Sequence, residues 1–302
     1  MTSHRGGTSV RPAARDSLGS AGAVASTDDI TVIVPTRNVE HWLGGCLDAI
    51  IACKPHEVIV VDGLSTDATR EIALGKGARM LSDEGRGVSA ARALGAQAAT
   101  TRYVAVIDAD VVLPPGGLQK LLDEFVREGY TGLQAGLLSV SDGGYWGRAL
   151  VNHHRTSRSR NWWGVVATVF ERTTLLEQGF DESFLSGEDV DLRFRLQRSG
   201  AKIGVSRETV VEHRFGSGFE FAKDQWLADG RAGARMFSMH GVRAIFYVLV
   251  PLAASLRGIA LSLARRQPQW LPYYVCFCIG NYVGMTQQLA GGVSERVAAR
   301  RR

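Results

Sequence analysis

Short apolar runs alternate with amphipathic stretches along much of the chain. The runs at Ile30–Val34, Glu57–Val61 and Val104–Ile107 lack the polar alternation of a strand with one solvated face. Such runs are typical of strands that are buried on both faces of a parallel sheet. Residues 40–52 and 87–99, which lie between them, have the composition and periodicity of helices. The alternation therefore predicts βαβ units and an α/β fold, with a mostly parallel sheet flanked by helices.

Polar or turn-forming residues follow each apolar run, at the point where the predicted strand ends. Pro35 and Thr36 follow the first run, Asp62 follows the second, and Asp108 follows the third. Right-handed crossovers bring the carboxyl ends of such strands to one edge of the sheet. Because ligands of open α/β sheets bind beyond that edge, we expect a binding site there.

The third strand end carries two carboxylates, Asp108 and Asp110. If the strand stays extended to its end, residues two apart point to the same side and both carboxylates face one place. Two converging carboxylates repel each other unless a cation lies between them, and oxygen ligands select a hard ion such as Mg²⁺ or Mn²⁺. The alternative is a simple turn, because aspartate is common after strands and Pro114 and Pro115 follow.

A second acidic group lies at the start of a helix predicted over residues 188–199. Glu188, Asp189 and Asp191 fall in its first turn, where the helix dipole favours acidic side chains, so capping is one interpretation. Three carboxylates within four residues exceed what a cap requires, which favours a functional role. His213 follows a later extended segment, and a single histidine there is either structural or a ligand.

Residues 145–163 form a basic segment that ends in Trp162 and Trp163. One interpretation of this charge run is a solvated face of the protein. The functional alternative is a mobile basic loop that contacts phosphates and closes over the site. In that case the two tryptophans would form the wall of an acceptor site.

The composition changes near residue 242, where long apolar stretches begin. Ile245–Ala264 and Leu271–Leu289 are each long enough, as helices, to span a hydrocarbon core of ~30 Å. Arg257 near the middle of the first stretch would be costly there unless it snorkels or pairs. In a membrane hairpin, Arg265 and Arg266 would fall on the non-cytoplasmic side, against the positive-inside preference. Helices that lie in the membrane interface, or a soluble helical subdomain or dimer interface, are the alternatives.

Composition limits the remaining classes of function. The 302 residues are 45% hydrophobic and 22% charged, as in an ordinary globular protein. The net charge of +5 comes partly from arginines near the ends of the chain, and without a supporting motif we expect no nucleic-acid partner. The four cysteines include no C-x-x-C pair, which predicts reduced thiols in a cytosolic protein.

Several motifs, taken in their order and spacing, resemble those of the family 2 glycosyltransferases, which have the GT-A fold. The matching stretches are residues 32–38, 57–67, 87–95, 108–110, 179–182 and 187–195. Each stretch is a weak signal alone, but together they form a specific one over residues 29–215. The resemblance implies a GT-A fold, a nucleotide-sugar donor and inverting transfer to an acceptor hydroxyl.

The resemblance also implies roles for individual residues. Asp189 matches the position that is usually taken as the catalytic base. The residues implied in nucleotide-sugar binding are Pro35, Thr36, Asp62, Arg92, Asp108 and Glu188. Those implied in binding a divalent metal, Mn²⁺ or Mg²⁺, are Asp108, Asp110 and His213. Ala93 replaces the asparagine that usually follows the arginine of this motif.

Taken together, these expectations predict a metal-dependent glycosyltransferase at the cytoplasmic face of the membrane. Its donor would be a UDP- or GDP-sugar and its acceptor a glycan or a lipid-linked molecule, with a homodimer as one option. We expect a disordered tail at 1–28, a GT-A domain at 29–240 and a membrane-associating helical segment at 241–302.

Two other functions remain open at this point. A phosphotransferase of the haloacid-dehalogenase type is one, because a strand followed by Asp-x-Asp also suits an aspartyl nucleophile. A degenerate transferase fold that acts only as a binding module is the other.

Overall fold

The computed structural model describes residues 25–156, 162–184 and 186–299, with only the backbone described for 292–299. The strands are β1 (Ile30–Thr36), β2 (Glu57–Asp62), β3 (Arg79–Ser82), β4 (Tyr103–Ile107), β5 (Val111–Val112), β6 (Gly132–Ser141), β7 (Ala167–Glu171) and β8 (Ile203–Phe215). The helices are α1 (Glu40–Ala52), α2 (Thr69–Gly75), α3 (Val88–Ala98), α4 (Gly117–Glu128), α5 (Tyr145–Thr156), α6 (Arg172–Gln178), α7 (Glu188–Arg198), α8 (Phe219–His240), α9 (Ile245–Ala264) and α10 (Leu271–Ala299).

The strands of the described chain form one sheet in the order β3-β2-β1-β4-β7-β6-β8-β5. β1 pairs in parallel with β2 and β4, and β2 pairs in parallel with β3. β7 is antiparallel to both of its neighbours, β4 and β6, whereas β6 and β8 are parallel. The predicted α/β fold with a mostly parallel sheet is therefore confirmed, with β7 and the short β5 running in the opposite direction.

Helices cover both faces of the sheet and bury its apolar strands. α1 and α4 contribute to the core on one face, while α3, α6 and α7 contribute to the core on the other. Gly95 allows α3 to lie close to β1, because a Cβ atom at this position would overlap the side chain of Ile33. This close packing brings the polar residues of α3 toward the carboxyl ends of β1 and β4.

The C-terminal helices pack on the α/β domain through α8. The backbone of α10 touches that of α8 where Gly230 faces Asn281 and where Gly284 faces Leu227, positions at which a Cβ atom would overlap the opposing backbone. Trp226 of α8 and Tyr273 of α10 are buried together in an aromatic cluster that includes Phe215 of β8. α10 is thereby attached along α8.

The predicted apolar C-terminal helices are present as α9 and α10. Among the described residues, one continuous helical run, Phe219–Ala264, is long and apolar enough to cross a membrane by length and composition. Its most apolar window has a mean hydropathy of 1.9, and 22% of that window is buried. Most of the apolar surface of this window is therefore not covered by the rest of the chain.

The basic segment and the predicted N-terminal tail are only partly described by the structure. Tyr145–Thr156 is a helix, and Leu150 packs into the aromatic cluster of α8 and α10, so the alternative interpretation of a mobile loop was wrong for these residues. Residues 157–161 of the basic segment lie outside the described residues, as do residues 1–24 of the predicted tail. Within the described part of that tail, Ser26 caps a short 3-10 helix at Thr27–Asp29.

Candidate functional site

The carboxyl ends of β1 and β2 form the first part of the site. Thr36 and Asp62 are register partners, and Oγ1 of Thr36 lies 3.4 Å from Oδ1 of Asp62. Asp62 is fully buried, and its Oδ2 accepts a hydrogen bond of 3.1 Å from the amide of Ser65. Pro35, also buried, precedes Thr36. The structure thus brings together three of the predicted nucleotide-binding residues at one edge of the sheet.

Arg92 on α3 connects the end of β4 with the start of α7. Its Nη2 donates a hydrogen bond of 2.7 Å to Oδ1 of Asp108, and its Nη1 donates to Oε1 of Glu188. The Nη2 atom also lies 3.3 Å from the carbonyl oxygen of Val165. The side chains of Arg92 and Glu188 are only 5% and 6% exposed. The guanidinium therefore neutralises two carboxylates that would otherwise be buried or half-buried without a cation.

Asp108 and Asp110 lie in a turn, not in an extended strand end. β4 ends before Asp108, and the amide of Val111 donates to the Asp108 carbonyl oxygen at 3.1 Å. The condition of an extended strand end is not met, and the turn given as the alternative is present, held by longer-range bonds. The amide of Asp108 donates to the carbonyl oxygen of Val166 at 2.8 Å, and the amide of Arg214 donates to the carbonyl oxygen of Asp110 at 2.9 Å.

The two carboxylates influence each other across this turn. Burial raises the pKa of Asp108, the Arg92 guanidinium opposes that effect, and the charge of Asp110 adds to it, so that the pKa remains raised. His213 of β8 lies opposite, with its Nε2 at 3.4 Å from Oδ2 of Asp110. Burial lowers the pKa of His213, but the adjacent Asp110 carboxylate more than offsets this and raises it. The three side chains form one electrostatic group.

The donor atoms around Asp110 fit a divalent ion that is completed by a ligand. Oδ1 of Asp110 and Nδ1 of His213 are buried and have no hydrogen-bond partner in the described part of the chain. Among the same residues, no three or more His, Cys, Asp or Glu side chains are grouped as a metal cage. Mg²⁺ is usually held by one or two carboxylates together with substrate phosphates, so a two-residue site at Asp110 and His213 is compatible with such an ion.

Asp189 lies in the first turn of α7, directly after Gly187 and Glu188. Its Oδ1 accepts a hydrogen bond of 2.9 Å from the amide of Val190. Oδ2 lies against Gly164, where a Cβ atom would come within 2.7 Å of it. A larger residue at position 164 would displace the Asp189 carboxylate from this place.

Gln134 fixes the backbone that faces Asp189, and the sequence analysis did not identify it. Its Oε1 accepts a hydrogen bond of 2.9 Å from the amide of Gly164, and its Nε2 donates one of 3.0 Å to the carbonyl oxygen of Trp162. Gln134 is fully buried in β6. A polar residue within an otherwise apolar strand was the available signal, because buried amides require partners.

The three carboxylates at the start of α7 differ in their pairing. Glu188 is bound to Arg92, and Asp191 is paired with Arg195 at 2.7 Å and with His240 at 3.0 Å. Within the described ranges, Asp189 has no ion pair. Of the three, Asp189 is therefore the carboxylate that is left to interact with a ligand.

Two further carboxyl groups beside Asp189 have raised pKa values. Burial raises the pKa of Glu188 to about 7, although Arg92 opposes this and Asp189 contributes to it. Asp229 of α8 is exposed, yet the surrounding protein and the charge of Asp189 raise its pKa to about 7. Glu188, Asp189 and Asp229 therefore lie close enough to influence one another's ionisation, and the place of Asp229 in this group was not predicted from the sequence.

The two tryptophans of the basic segment have different positions. Trp163 is a core residue that packs on Phe170 and donates from Nε1 to the carbonyl oxygen of Gly132 at 3.2 Å. Trp162 is half-buried and lies near α7 and α9, where it contacts Arg193 and Tyr247. The interpretation of both residues as a wall is wrong for Trp163.

Comparison with known proteins gives a match to the sequence profile of glycosyl transferase family 2 over residues 31–184. An uncharacterized glycosyltransferase of Mycobacterium tuberculosis is 41% identical over 97 residues, which are 32% of this chain and 44% of that relative. The match therefore spans less than half the length of this relative. The succinoglycan biosynthesis protein ExoA of Rhizobium meliloti is 25% identical over 91% of this chain and 93% of its own length.

Solved structures with the same fold include a mannosyltransferase of Pyrobaculum calidifontis in complex with GDP-mannose and Mn²⁺. It superposes with a TM-score of 0.62 at 18% identity, over 85% of this chain and 87% of its own. The likeness confirms the GT-A fold that the motifs imply.

Proposed function

The chain belongs to glycosyl transferase family 2, and we propose that it transfers a sugar from a UDP- or GDP-sugar to an acceptor hydroxyl. The transfer is inverting, depends on a divalent ion and uses a glycan or lipid-linked acceptor. The observation that carries the proposal is the pairing at the start of α7. Arg92 and Arg195 neutralise Glu188 and Asp191 and leave Asp189 beside the cleft without an ion pair among the described residues.

The nucleotide of the donor binds at the carboxyl ends of β1 and β2. Asp62, fully buried and anchored by the Ser65 amide, accepts a hydrogen bond from the base, and Pro35 and Thr36 line the same pocket. Asp108 would contact the ribose and help to hold the metal. Arg92 and Glu188 act behind it, because their side chains are buried and already bound to each other and to Asp108.

The diphosphate of the donor lies between Asp110, His213 and the end of β4. Asp110 Oδ1 and His213 Nδ1 are buried atoms without a hydrogen-bond partner in the described part of the chain, and Nε2 of the same histidine lies 3.4 Å from Oδ2 of Asp110. A divalent ion bound here would neutralise the charge of the leaving nucleoside diphosphate as a Lewis acid. Asp189 takes the proton of the acceptor hydroxyl as it attacks the anomeric carbon. This arrangement does not require an aspartyl nucleophile.

The C-terminal helices hold the protein at a membrane surface. Exposed apolar residues repeat along the outer side of α9, each at least 42% exposed, at Ile245, Phe246, Leu249, Leu252, Leu256 and Leu263. Arg243 before α9 and Arg265 and Arg266 after it are exposed, as expected beside anionic headgroups. Because α10 is packed along α8, shallow insertion of α9 fits this arrangement better than a spanning hairpin. The catalytic domain then lies on the cytoplasmic face.

Thermal unfolding of the protein in the presence of nucleotides tests this function. The full chain is melted with UDP, GDP, UDP-glucose or GDP-mannose, with and without Mn²⁺, and donors that stabilise it are then assayed for released nucleoside diphosphate. We expect stabilisation that requires Mn²⁺ with one of the two bases. A phosphotransferase or a binding module without a nucleotide site gives no such stabilisation, and a binding module with an intact site gives no release in the presence of acceptor.

A further inference from the structure

The Arg193 guanidinium on α7 lies over the ring of Trp162, with its central carbon 4.0 Å from the ring centroid. Nε and Nη1 of Arg193 are buried and have no hydrogen-bond partner among the residues that the structure describes. A buried guanidinium hydrogen without a partner is unfavourable, because its desolvation is not compensated by a hydrogen bond. This cost indicates that a ligand supplies the missing acceptor atoms.

The position of Arg193 relates it to the chemistry. It follows Asp189 by four residues on the same helix, so the two side chains lie on one face of α7. Burial lowers the pKa of Arg193, and the charges of Tyr247 and Asp189 partly oppose this. A ligand that satisfies Arg193 therefore lies next to Asp189, on the acceptor side of the proposed base.

Aromatic residues from two other parts of the chain complete this surface. Tyr247 of α9 contacts Trp162 edge to face, with ring centroids 6.4 Å apart. Both rings are half-buried, so part of each ring surface is accessible to a ligand. Tyr247 comes from the C-terminal helical segment, and that segment therefore contributes directly to the site.

The charges around this surface decide which ligand suits it. Asp189 interacts electrostatically with Arg193 and also with a second carboxyl group, Asp229. A phosphate group placed here would be repelled by the Asp189 carboxylate. A neutral molecule with many hydroxyls can accept hydrogen bonds from Arg193, donate to a carboxylate and lay an apolar ring face on an aromatic side chain.

We propose that Trp162, Arg193 and Tyr247 form a subsite for a neutral sugar ring of the acceptor, beside Asp189. This inference rests on the proposed transfer reaction and names the class of its acceptor. The sugar hydroxyls fill the unpaired positions of Arg193, and the ring lies against the aromatic side chains. One of its hydroxyls then faces the Asp189 carboxylate. A phosphate-bearing acceptor group is the competing outcome.

Saturation-transfer difference NMR on the full chain in detergent tests the subsite without requiring turnover. The probes are methyl β-D-glucopyranoside, methyl α-D-mannopyranoside and methyl β-D-galactopyranoside, with glycerol 3-phosphate as the anionic probe. Each is titrated in the presence of Mn²⁺ and whichever of UDP or GDP stabilises the protein. We expect saturation transfer to at least one neutral glycoside and none to glycerol 3-phosphate.

Matched arginine variants locate the binding. In R193Q the dissociation constant of the glycoside rises about tenfold or more, the effect of losing a hydrogen bond to a charged group. Arg198→Gln is the control, because Arg198 is exposed and stacks on Phe194 of the same helix at 5.6 Å. It leaves glycoside binding unchanged. R193K keeps the charge and weakens binding, and it replaces R193Q if that variant fails to fold.

The outcomes separate this inference from the function on which it rests. If UDP and GDP stabilise the wild type but no neutral glycoside binds, the subsite assignment is wrong. It is equally wrong if glycerol 3-phosphate binds instead, or if R193Q, R193K and Arg198→Gln all bind the glycoside like the wild type. If neither UDP nor GDP stabilises the wild type, the donor site itself is absent, and both the proposed transfer reaction and the sugar subsite are wrong.

Discussion

Arg92 and Glu188 are separated by 96 residues in the chain but form a buried ion pair, and Arg92 also binds Asp108 at 2.7 Å. This bridge joins α3, the end of β4 and the first turn of α7. It holds the turn with the proposed metal ligands at a fixed position relative to the helix that carries the proposed base. The geometry of the site therefore depends on one guanidinium.

Arg92→Met should lower the free energy of unfolding by about 3–5 kcal/mol, because it leaves a buried carboxylate without its cation. Urea denaturation of the full chain measures the change. Arg102→Met is the matched control, since Arg102 pairs with Glu171 at the surface and such pairs contribute about 0–1 kcal/mol. The double variant with Glu188→Gln should recover part of the loss. Equal effects of the two arginine substitutions would contradict the role of the bridge.

Asp110→Asn should abolish the Mn²⁺-dependent part of nucleoside diphosphate binding, because it removes the charged ligand whose Oδ1 has no partner among the described residues. Calorimetric titration with UDP or GDP, with Mn²⁺ and with EDTA, measures the difference. Asp48→Asn, which removes a surface carboxylate paired with Lys76, is the control and should behave as the wild type. Retained Mn²⁺-dependent binding in Asp110→Asn would show that the metal assignment is wrong.

The sequence was sufficient for the parts of the site that depend on local pattern and strand order. Pro35, Thr36 and Asp62 follow buried parallel strands, and the register brings Thr36 beside Asp62 as expected. A turn at Asp108–Asp110 was one of the two alternatives left open by the sequence, but the bonds to Val166 and Arg214 that set its conformation could not be predicted, because those residues are distant in the chain. Local alternation says nothing about such bonds.

The sequence pattern also did not predict which residues lie on the acceptor side of the site. Trp162 and Trp163 are adjacent and identical, yet one lies in the core and the other contacts Arg193, because the Gln134 amide fixes the backbone between them. Tyr247 lies in an apolar stretch where a tyrosine is equally typical of a membrane interface. Its place beside Trp162 follows only from the way α9 packs.

His153 should make the stability of the protein depend on acidity. Burial against Tyr273 and Phe277, together with the charge of Arg257, lowers the pKa of His153 to about 4. In the unfolded chain His153 takes up a proton near its ordinary pKa of 6.5, whereas in the folded chain it does not. The contribution to stability is thus present above about pH 6.5 and is lost as pH falls toward 4.

The comparison of wild type with His153→Phe isolates this effect. Between pH 7 and pH 4, the free energy of unfolding of the wild type should fall by up to about 3 kcal/mol relative to that of His153→Phe. His154, whose pKa burial lowers to about 3, remains in both proteins. Urea denaturation at several pH values measures the difference. A constant difference over this range would mean that His153 does not titrate as its burial implies.

Leu249→Lys combined with Leu256→Lys should reduce membrane binding about tenfold or more, because both side chains are over half exposed on the outer face of α9. Flotation with phosphatidylcholine and phosphatidylglycerol vesicles measures bound protein at low and high salt. Leu74→Lys is the control, since Leu74 is 62% exposed on α2, away from the C-terminal helices. Wild-type protein that does not float under either condition would contradict membrane association.

Asp189→Asn should separate the chemical step from donor binding. Asparagine keeps the shape of the side chain and can still accept the hydrogen bond from the Val190 amide, but it takes no proton from an acceptor. Turnover should fall about 10²–10⁴-fold, the usual contribution of a positioned general base. The affinity for nucleoside diphosphate should stay within about twofold, because the nucleotide is held by residues at the ends of β1, β2 and β4.

Variants of the two neighbouring carboxylates serve as comparisons for Asp189→Asn. Glu188→Gln breaks the bond to Arg92 and Asp191→Asn breaks the pair with Arg195, so both should lower stability as well as activity. Asp189 has no ion pair among the described residues, so Asp189→Asn should reduce turnover while its melting temperature stays near that of the wild type. If turnover is nearly normal, Asp189 only caps the helix and the proton goes elsewhere. If donor binding falls together with turnover, the residue supports the nucleotide site instead. Only reduced turnover with intact fold and intact donor binding identifies Asp189 as the base.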